Sequence, residues 1–207
     1  MRALSGKERA LIAASLAAGL AYPAFRDTLP FAGGVALKGA GVGLLAAAAL
    51  VAGSRLPALF LAFGALGDVL LELAFLAGVG AFACGHAVAI LFYRRNRRPT
   101  RGPGDFVLPG LLLAFGAVAP FLILRDPGEA ATFLIYSLLI SAMAASAWRS
   151  RFPRALTGLG AILFVASDAL IAVRLAERGF DGINLAIWLL YYLGQLLIFA
   201  GIRTGRK

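Results

Sequence analysis

Five ionisable side chains interrupt the long apolar segments of this 207-residue chain, and their types are suited to acid–base chemistry. An ionisable residue at the centre of a membrane helix costs at least about 2.5 to 3.5 kcal/mol, so each one needs a partner or a task. Carboxyl and imidazole groups can transfer protons, and an ammonium can stabilise negative charge. The candidate site residues are therefore Lys38, Asp68, Glu72, His86 and Asp168.

These residues are predicted to meet in one cavity. At a rise of about 1.5 Å per helical residue, five polar side chains from five segments fall in one layer of the outer half of a bilayer. Asp68 and Glu72 are four residues apart, so they should share a helix face, with Glu72 nearer the helix end. The five residues of the layer are Lys38, Asp68, His86, Asp168 and Gln195.

Plainer interpretations stay open for several of these groups. Lys38 could form a structural ion pair with Asp68 or Asp168, because buried charges commonly pair. A single histidine in a helix, such as His86, is more often a hydrogen-bonded core residue than a catalyst. These alternatives require no reaction, so they leave the function undecided at this point.

Tyrosines and glycines in the same segments also have structural interpretations. Tyr191 and Tyr192 could be packing residues or interface anchors, and packing is the favoured interpretation of Tyr136. Glycines such as Gly39 and Gly43 are best explained as close contacts between helices, because no strand precedes them as a phosphate loop would require.

The composition identifies the elements that must position these residues. Apolar and aromatic residues make up 61% of the chain, charged residues 14%, and the mean hydropathy is +0.87. Ordinary soluble domains and disordered chains are thereby excluded. A bilayer core needs roughly 17 to 25 apolar residues per helix. Eight stretches qualify: 8–25, 30–52, 56–73, 75–93, 106–124, 130–148, 155–176 and 183–202.

The predicted fold is an all-α integral membrane protein, a bundle of eight transmembrane helices forming a single transmembrane domain over residues 1–207. Fifteen of the twenty Lys and Arg residues fall on one side of this arrangement, which places both termini in the cytoplasm. Membrane topology thus accounts for the net charge of +10, and no nucleic-acid partner is expected. The one cysteine, Cys84, excludes an intramolecular disulfide.

A short internal sequence similarity suggests a duplication. Gly-Asp at 67–68 followed by Gly-His at 85–86 resembles Ser-Asp at 167–168 followed by Gly-Gln at 194–195. Each pair spans two consecutive predicted helices. The pattern predicts a four-plus-four repeat with equivalent aspartates.

Several motifs together resemble the YhhN family of multispanning membrane proteins, whose characterised members are lysoplasmalogenases. They are Gly-Asp-Val-Leu-Leu-Glu at 67–72, Gly-His at 85–86 with Phe-Tyr at 92–93, Ser-Asp-Ala-Leu at 167–170 and Tyr-Tyr-Leu-Gly-Gln at 191–195. The resemblance implies cleavage of the vinyl ether bond of a lysoplasmalogen to a fatty aldehyde and glycerophosphocholine or glycerophosphoethanolamine.

The same resemblance implies residue roles. Asp68 and Asp168 match the family's paired aspartates and His86 its histidine, which makes them the expected catalytic residues. The family's lysine usually precedes a proline, whereas Lys38 precedes Gly39. The expected substrate-binding residues are Lys38, Glu72, Tyr191, Tyr192 and Gln195.

Vinyl ether hydrolysis is compatible with these residues. The reaction begins with protonation of an alkene carbon, and a second carboxylate can stabilise the oxocarbenium ion and activate water. His86 could carry the proton released when the hemiacetal collapses, and Lys38 could attract the lipid phosphate. No cofactor is expected, and the substrate would be a lysophospholipid reached from the surrounding membrane lipids.

A zinc site and a transport function are weighed against this prediction. A zinc site of His86 with Asp68, Glu72 and Asp168 is disfavoured, because zinc hydrolases usually present several histidines, so no metal is expected. A proton-coupled transporter or carrier would use the same buried polar cluster and is the main alternative. The bias toward Ala, Gly, Leu and Arg favours a bacterial source and the cytoplasmic (inner) membrane.

Overall fold

The computed structural model describes residues 3–100 and 102–205, and within these ranges the chain is all-α. No β-strand occurs there, and the one β feature is an isolated antiparallel bridge between Arg97 and Ser150. A π-helical turn, Arg154–Gly158, leads directly into the seventh helix. The eight helices are α1 Gly6–Phe25, α2 Phe31–Val51, α3 Arg55–Leu73, α4 Phe75–Arg95, α5 Gly104–Ile123, α6 Pro127–Trp148, α7 Leu159–Leu175 and α8 Ile183–Thr204.

Each predicted apolar stretch corresponds to one of these helices, so the all-α prediction is confirmed. Seven of them, α2 to α8 with the π-helical turn counted in α7, are long and apolar enough to cross a membrane. Helix α1 has 20 residues, but its first turn carries Lys7, Glu8 and Arg9. Ser5 and Glu8 form a capping box there, which fixes the start of α1 at a polar sequence.

The described residues divide into two compact units. Unit 1 runs to Phe92 and contains α1, α2, α3 and most of α4, whereas unit 2 runs from Tyr93 to Gly205 and contains α5 to α8. The division falls near the end of α4, where the predicted four-plus-four repeat would place it. The repeat itself stays a prediction.

Small residues bring the helices of unit 1 together. The hydroxyl of Ser15 on α1 donates a 2.5 Å hydrogen bond to the carbonyl of Gly41 on α2. A Cβ on Gly39 of α2 would lie 2.7 Å from Val69 Cγ2 of α3, so a larger residue there would force the Val69 side chain or the helices to move. The interpretation of Gly39 as a helix contact is therefore confirmed.

Unit 2 has an even closer contact between α7 and α8. A Cβ built on Gly160 would lie 2.6 Å from the carbonyl oxygen of Gly194, and one on Gly194 would lie 2.7 Å from the carbonyl oxygen of Gly160. Seven residues along α7, the hydroxyl of Ser167 donates a 2.9 Å hydrogen bond to the carbonyl of Ile187 on α8. These contacts hold the helix that carries Asp168 against α8.

Arginine side chains join the basic segments of unit 2 to one another and to α5. Arg98, between α4 and α5, donates from Nε to the carbonyl of Ser150 at 2.7 Å and from Nη2 to the carbonyl of Phe152 at 3.0 Å. Arg154 also forms an ion pair with Asp105 at the start of α5. The links between α4 and α5 and between α6 and α7 are therefore joined by specific hydrogen bonds.

Candidate functional site

An ion pair on unit 1 joins two of the predicted site residues. Nζ of Lys38, on α2, lies 2.6 Å from Oε1 of Glu72, on α3. The Lys38 side chain is 13% exposed and that of Glu72 is 37% exposed, so the carboxylate is the more accessible member. The sequence had suggested Asp68 or Asp168 as the partner of Lys38, and the structure corrects this to Glu72.

Asp68 lies one helical turn before Glu72 and is much more deeply buried. Only 2% of its surface is exposed, whereas Glu72 lies next to the last residue of α3, Leu73. This arrangement agrees with the predicted order of the two carboxyl groups along the helix. The surrounding helices therefore shield the carboxyl of Asp68 from bulk water.

His86 lies on α4 of the same unit and is 3% exposed. Its ring is nearly parallel to that of Phe82, one turn earlier, with an interplanar angle of 22° and 6.4 Å between ring centroids. A Cβ on Gly85 would lie 3.2 Å from the carbonyl oxygen of Phe60, so α4 approaches α3 closely beside His86. Helix packing thus fixes the position of the imidazole.

The ring of Tyr22, on α1, lies beside the same ion pair. Lys38 Nζ is 6.0 Å from the ring centroid of Tyr22, and Arg26 Cζ is 5.7 Å from it. Neither Tyr22 nor Arg26 was predicted as a site residue. The available signal was their four-residue spacing at the end of the first apolar stretch, which places both on one helix face.

A short hydrogen bond defines the polar group of unit 2. The hydroxyl of Tyr136, on α6, donates to Oδ2 of Asp168, on α7, at 2.5 Å, and both side chains are half-buried. The sequence favoured packing as the role of Tyr136. The structure adds a polar role, because the orientation of α6 turns the phenol toward α7.

Tyr191 and Tyr192, on α8, lie in an aromatic cluster. The rings of Trp188 and Tyr192 are nearly parallel, at 8° and 5.8 Å, and Phe164 meets Tyr191 edge-on at 5.1 Å. Packing, one of the two structural interpretations of these tyrosines, is therefore confirmed. Gln195, one turn further along α8, is 3% exposed.

The predicted site residues thus form a polar group in each unit. Unit 1 joins Lys38 to Glu72 and buries Asp68 and His86, and unit 2 joins Asp168 to Tyr136. Within residues 3–100 and 102–205, no group of three or more His, Cys, Asp or Glu side chains is arranged to hold a metal ion. The single cavity containing all of these residues stays a prediction.

Comparison with known proteins identifies the family. The model of the YhhN family matches residues 34–202, which includes every predicted site residue from Lys38 to Gln195. The chain belongs to the YhhN family. Family membership and the seven long apolar helices together make it a multi-pass membrane protein.

Two curated proteins are similar to this chain over much of its length. Both carry the name lysoplasmalogenase, one from Mycobacterium bovis and one from Mycobacterium tuberculosis, and each is 32% identical over 160 residues. The aligned region covers 73% of this chain and 60% of each relative, so the chain spans less than two thirds of their length. No solved structure gives a significant match.

Proposed function

We propose that this protein is a lysoplasmalogenase-type ether hydrolase. It cleaves the vinyl ether bond of alkenyl glycerophosphocholine or alkenyl glycerophosphoethanolamine and releases a fatty aldehyde and the glycerophosphodiester. Membership of the YhhN family and the two relatives named lysoplasmalogenase support this substrate class. The proposed substrate is a lysophospholipid that reaches the protein from the surrounding membrane lipids. No nucleic acid takes part in the proposed reaction.

The observation that carries the proposal is the hydrogen bond from Tyr136 to Asp168. No described residue of unit 2 forms an ion pair with Asp168, so a structural salt bridge within the unit does not explain this carboxyl. Tyr136 instead fixes one carboxyl oxygen at 2.5 Å, which orients the group as general acid–base catalysis requires.

The proposed reaction consumes one water molecule. A carboxylic acid protonates the alkene carbon remote from the ether oxygen, and the adjacent carbon becomes an oxocarbenium ion. A carboxylate stabilises this cation and removes a proton from the attacking water, as in glycoside hydrolysis. The resulting hemiacetal breaks its carbon–oxygen bond to the glycerol, leaving an aldehyde and a glycerol hydroxyl.

The roles are proposed residue by residue. Asp68 and Asp168 supply the acid and the carboxylate, and His86 carries the proton that returns to the leaving glycerol oxygen. The burial of Asp68 and His86 supports these roles, because exclusion of water protects the cation from uncontrolled attack. The proposed substrate-binding residues are Lys38, Glu72, Tyr191, Tyr192 and Gln195.

The proposed topology is a single transmembrane domain of eight spanning helices with both termini in the cytoplasm. Helix α1 crosses the membrane in addition to the seven long apolar helices, which brings the number of spans to eight. A four-plus-four repeat relates the first four helices to the last four. The supporting observation is the concentration of Lys and Arg on alternate links between helices. The proposed location is the bacterial cytoplasmic membrane.

The test follows fatty aldehyde release from a lysoplasmenylethanolamine by the detergent-purified protein. Asp68→Asn and Asp168→Asn should each lower kcat by at least about a hundredfold, the usual range for general acid–base groups. Asp181→Asn, which changes an exposed aspartate in unit 2, should keep wild-type activity. Folded aspartate variants with full activity would refute the roles, and coupled flux without lipid cleavage would favour the carrier alternative.

A further inference from the structure

Two cations from different helices converge on one aromatic ring in unit 1. Arg26 follows the end of α1 and Lys38 lies on α2, and each charged group is within 6.0 Å of the ring centroid of Tyr22. Such cation–ring contacts hold the charges in place while leaving their hydrogen-bond donors available. The three side chains, together with Glu72, are called the Tyr22 cluster below.

Each cation has an acidic neighbour, but the two pairs differ. Lys38 is held by Glu72 at 2.6 Å with both groups partly shielded. Arg26 Nε contacts Asp27 at 3.2 Å, and the Asp27 side chain is 84% exposed, so this pair is weak. Arg26 therefore keeps most of its five donors for another acceptor.

The accessible ends of the Tyr22 cluster carry opposite charges. The Arg26 side chain is 36% exposed and that of Glu72 is 37% exposed, whereas that of Lys38 is only 13% exposed. The guanidinium of Arg26 and the carboxylate of Glu72 are thus more accessible to a ligand than the ammonium of Lys38. This charge pattern complements a molecule that bears one negative and one positive group.

We infer that the Tyr22 cluster binds the zwitterionic head group of the lysolipid, with its phosphate on Arg26 and Lys38 and its ammonium on Glu72. The inference rests on the proposed function, to which it adds Arg26 and Tyr22. Arginine binds phosphate oxygens in a bidentate fashion, and a carboxylate accepts hydrogen bonds from a primary ammonium.

The neighbouring carboxylates select against purely anionic ligands. Asp27 contacts Arg26, and Glu72 contacts Lys38. A phosphate without a positive partner would gain attraction from the cations but suffer repulsion from these groups. An ethanolamine head group avoids this repulsion, because its ammonium faces the carboxylate of Glu72.

The first experiment measures binding without requiring catalysis. The ligands are a 1-O-alkyl lysophosphoethanolamine, whose saturated ether has no alkene to protonate, and the matching 1-O-alkylglycerol, which has no phosphate. Arg26→Gln should weaken binding of the phospholipid about tenfold, the effect of losing a charged hydrogen bond, and leave alkylglycerol binding unchanged. Arg26→Lys should recover part of the loss, since it restores charge without bidentate geometry.

The matched control is Arg125→Gln. Arg125 is exposed, lies in the link between α5 and α6, and belongs to unit 2. This variant should bind both ligands as the wild type does. The inference would be overturned if Arg26→Gln weakened binding of both ligands equally or weakened binding of neither. Size-exclusion profiles establish that each variant is folded.

A second comparison tests the positive end of the head group. The wild type should bind the phosphoethanolamine lipid more tightly than the corresponding phosphoglycerol lipid, which is anionic. Glu72→Gln should reduce this preference at least fivefold, because it removes the partner of the ammonium and one source of repulsion. A preference that is absent in the wild type, or unchanged in Glu72→Gln, would contradict the assignment of Glu72.

Aldehyde release measured on the same preparations separates this inference from the proposed function. Phospholipid binding that depends on Arg26, with no aldehyde formed from lysoplasmenylethanolamine, would refute the hydrolase and leave the head-group site intact. Aldehyde release with binding that is insensitive to Arg26→Gln would refute the head-group site alone.

Discussion

The phenol oxygen of Tyr136 lies 2.5 Å from Oδ2 of Asp168, which joins α6 to α7 at a carboxyl group inside an apolar helix. The hydroxyl of the preceding residue, Ser167, is bonded to the carbonyl of Ile187 on α8. Two consecutive residues of α7 are thus fixed to two different neighbouring helices. Contacts within the protein consequently hold the Asp168 carboxyl in one orientation.

Removing the phenol of Tyr136 should impair the reaction more than the fold. In Tyr136→Phe the ring remains but Asp168 loses its donor, so the carboxyl samples unproductive orientations. We expect kcat for aldehyde release to fall at least about tenfold. Tyr93→Phe, which removes another buried phenol of unit 2, should leave kcat unchanged, and a Tyr136→Phe enzyme with wild-type kcat would contradict the positioning role.

The ion pair between Lys38 and Glu72 should show an asymmetric response to neutralisation. Glu72→Gln leaves the more buried Lys38 charge without its carboxylate, whereas Lys38→Gln leaves the more exposed Glu72. We expect Glu72→Gln to lower the free energy of unfolding by on the order of 1 to 3 kcal/mol, and Lys38→Gln to lower it by less. The unfolding midpoint in detergent measures this difference.

The double variant completes that experiment. Lys38→Gln with Glu72→Gln removes both charges, so its midpoint should lie above that of Glu72→Gln alone. Strictly additive effects would show that the two side chains do not stabilise each other.

The contact between Gly160 and Gly194 should tolerate no side chain. An added Cβ at Gly160 meets backbone atoms of α8 at 2.6 and 3.0 Å, so Gly160→Ala must separate the two helices. We expect the free energy of unfolding to fall by about 1 to 3 kcal/mol, the usual cost of overpacking, and the unfolding midpoint to fall with it. Gly110→Ala on α5 is the control, because a Cβ there meets no atom within 4 Å, and equal effects of both would refute the packing argument.

The proposed topology predicts the location of both chain ends. A green fluorescent protein fused after residue 207 should fluoresce in the bacterial cytoplasm, and an alkaline phosphatase fused there should be inactive. A phosphatase fused after residue 27, beyond α1, should be active, because α1 would have crossed the membrane. An inactive phosphatase at residue 27 would show that α1 is not a span.

Sequence reasoning predicted the helices well for a physical reason. Backbone groups in a bilayer must be satisfied within each segment, so apolar length by itself specifies a helix and its approximate ends. The predicted stretches 75–93 and 183–202 differ from α4 and α8 by two residues at their ends. Basic residues at those ends extend the helices, since Arg94, Arg95 and Arg203 suit a helix C-terminus.

The sequence also identified the ionisable residues within the apolar helices, because burying such a group in a membrane has a high solvation cost. It did not determine their partners. Glu72 rather than an aspartate is paired with Lys38, and the hydroxyl of Tyr136 points to Asp168. Those contacts depend on how each helix is rotated about its axis and on how closely glycines let two helices approach. Apolar length carries no information about either quantity, so only the tertiary structure decides them.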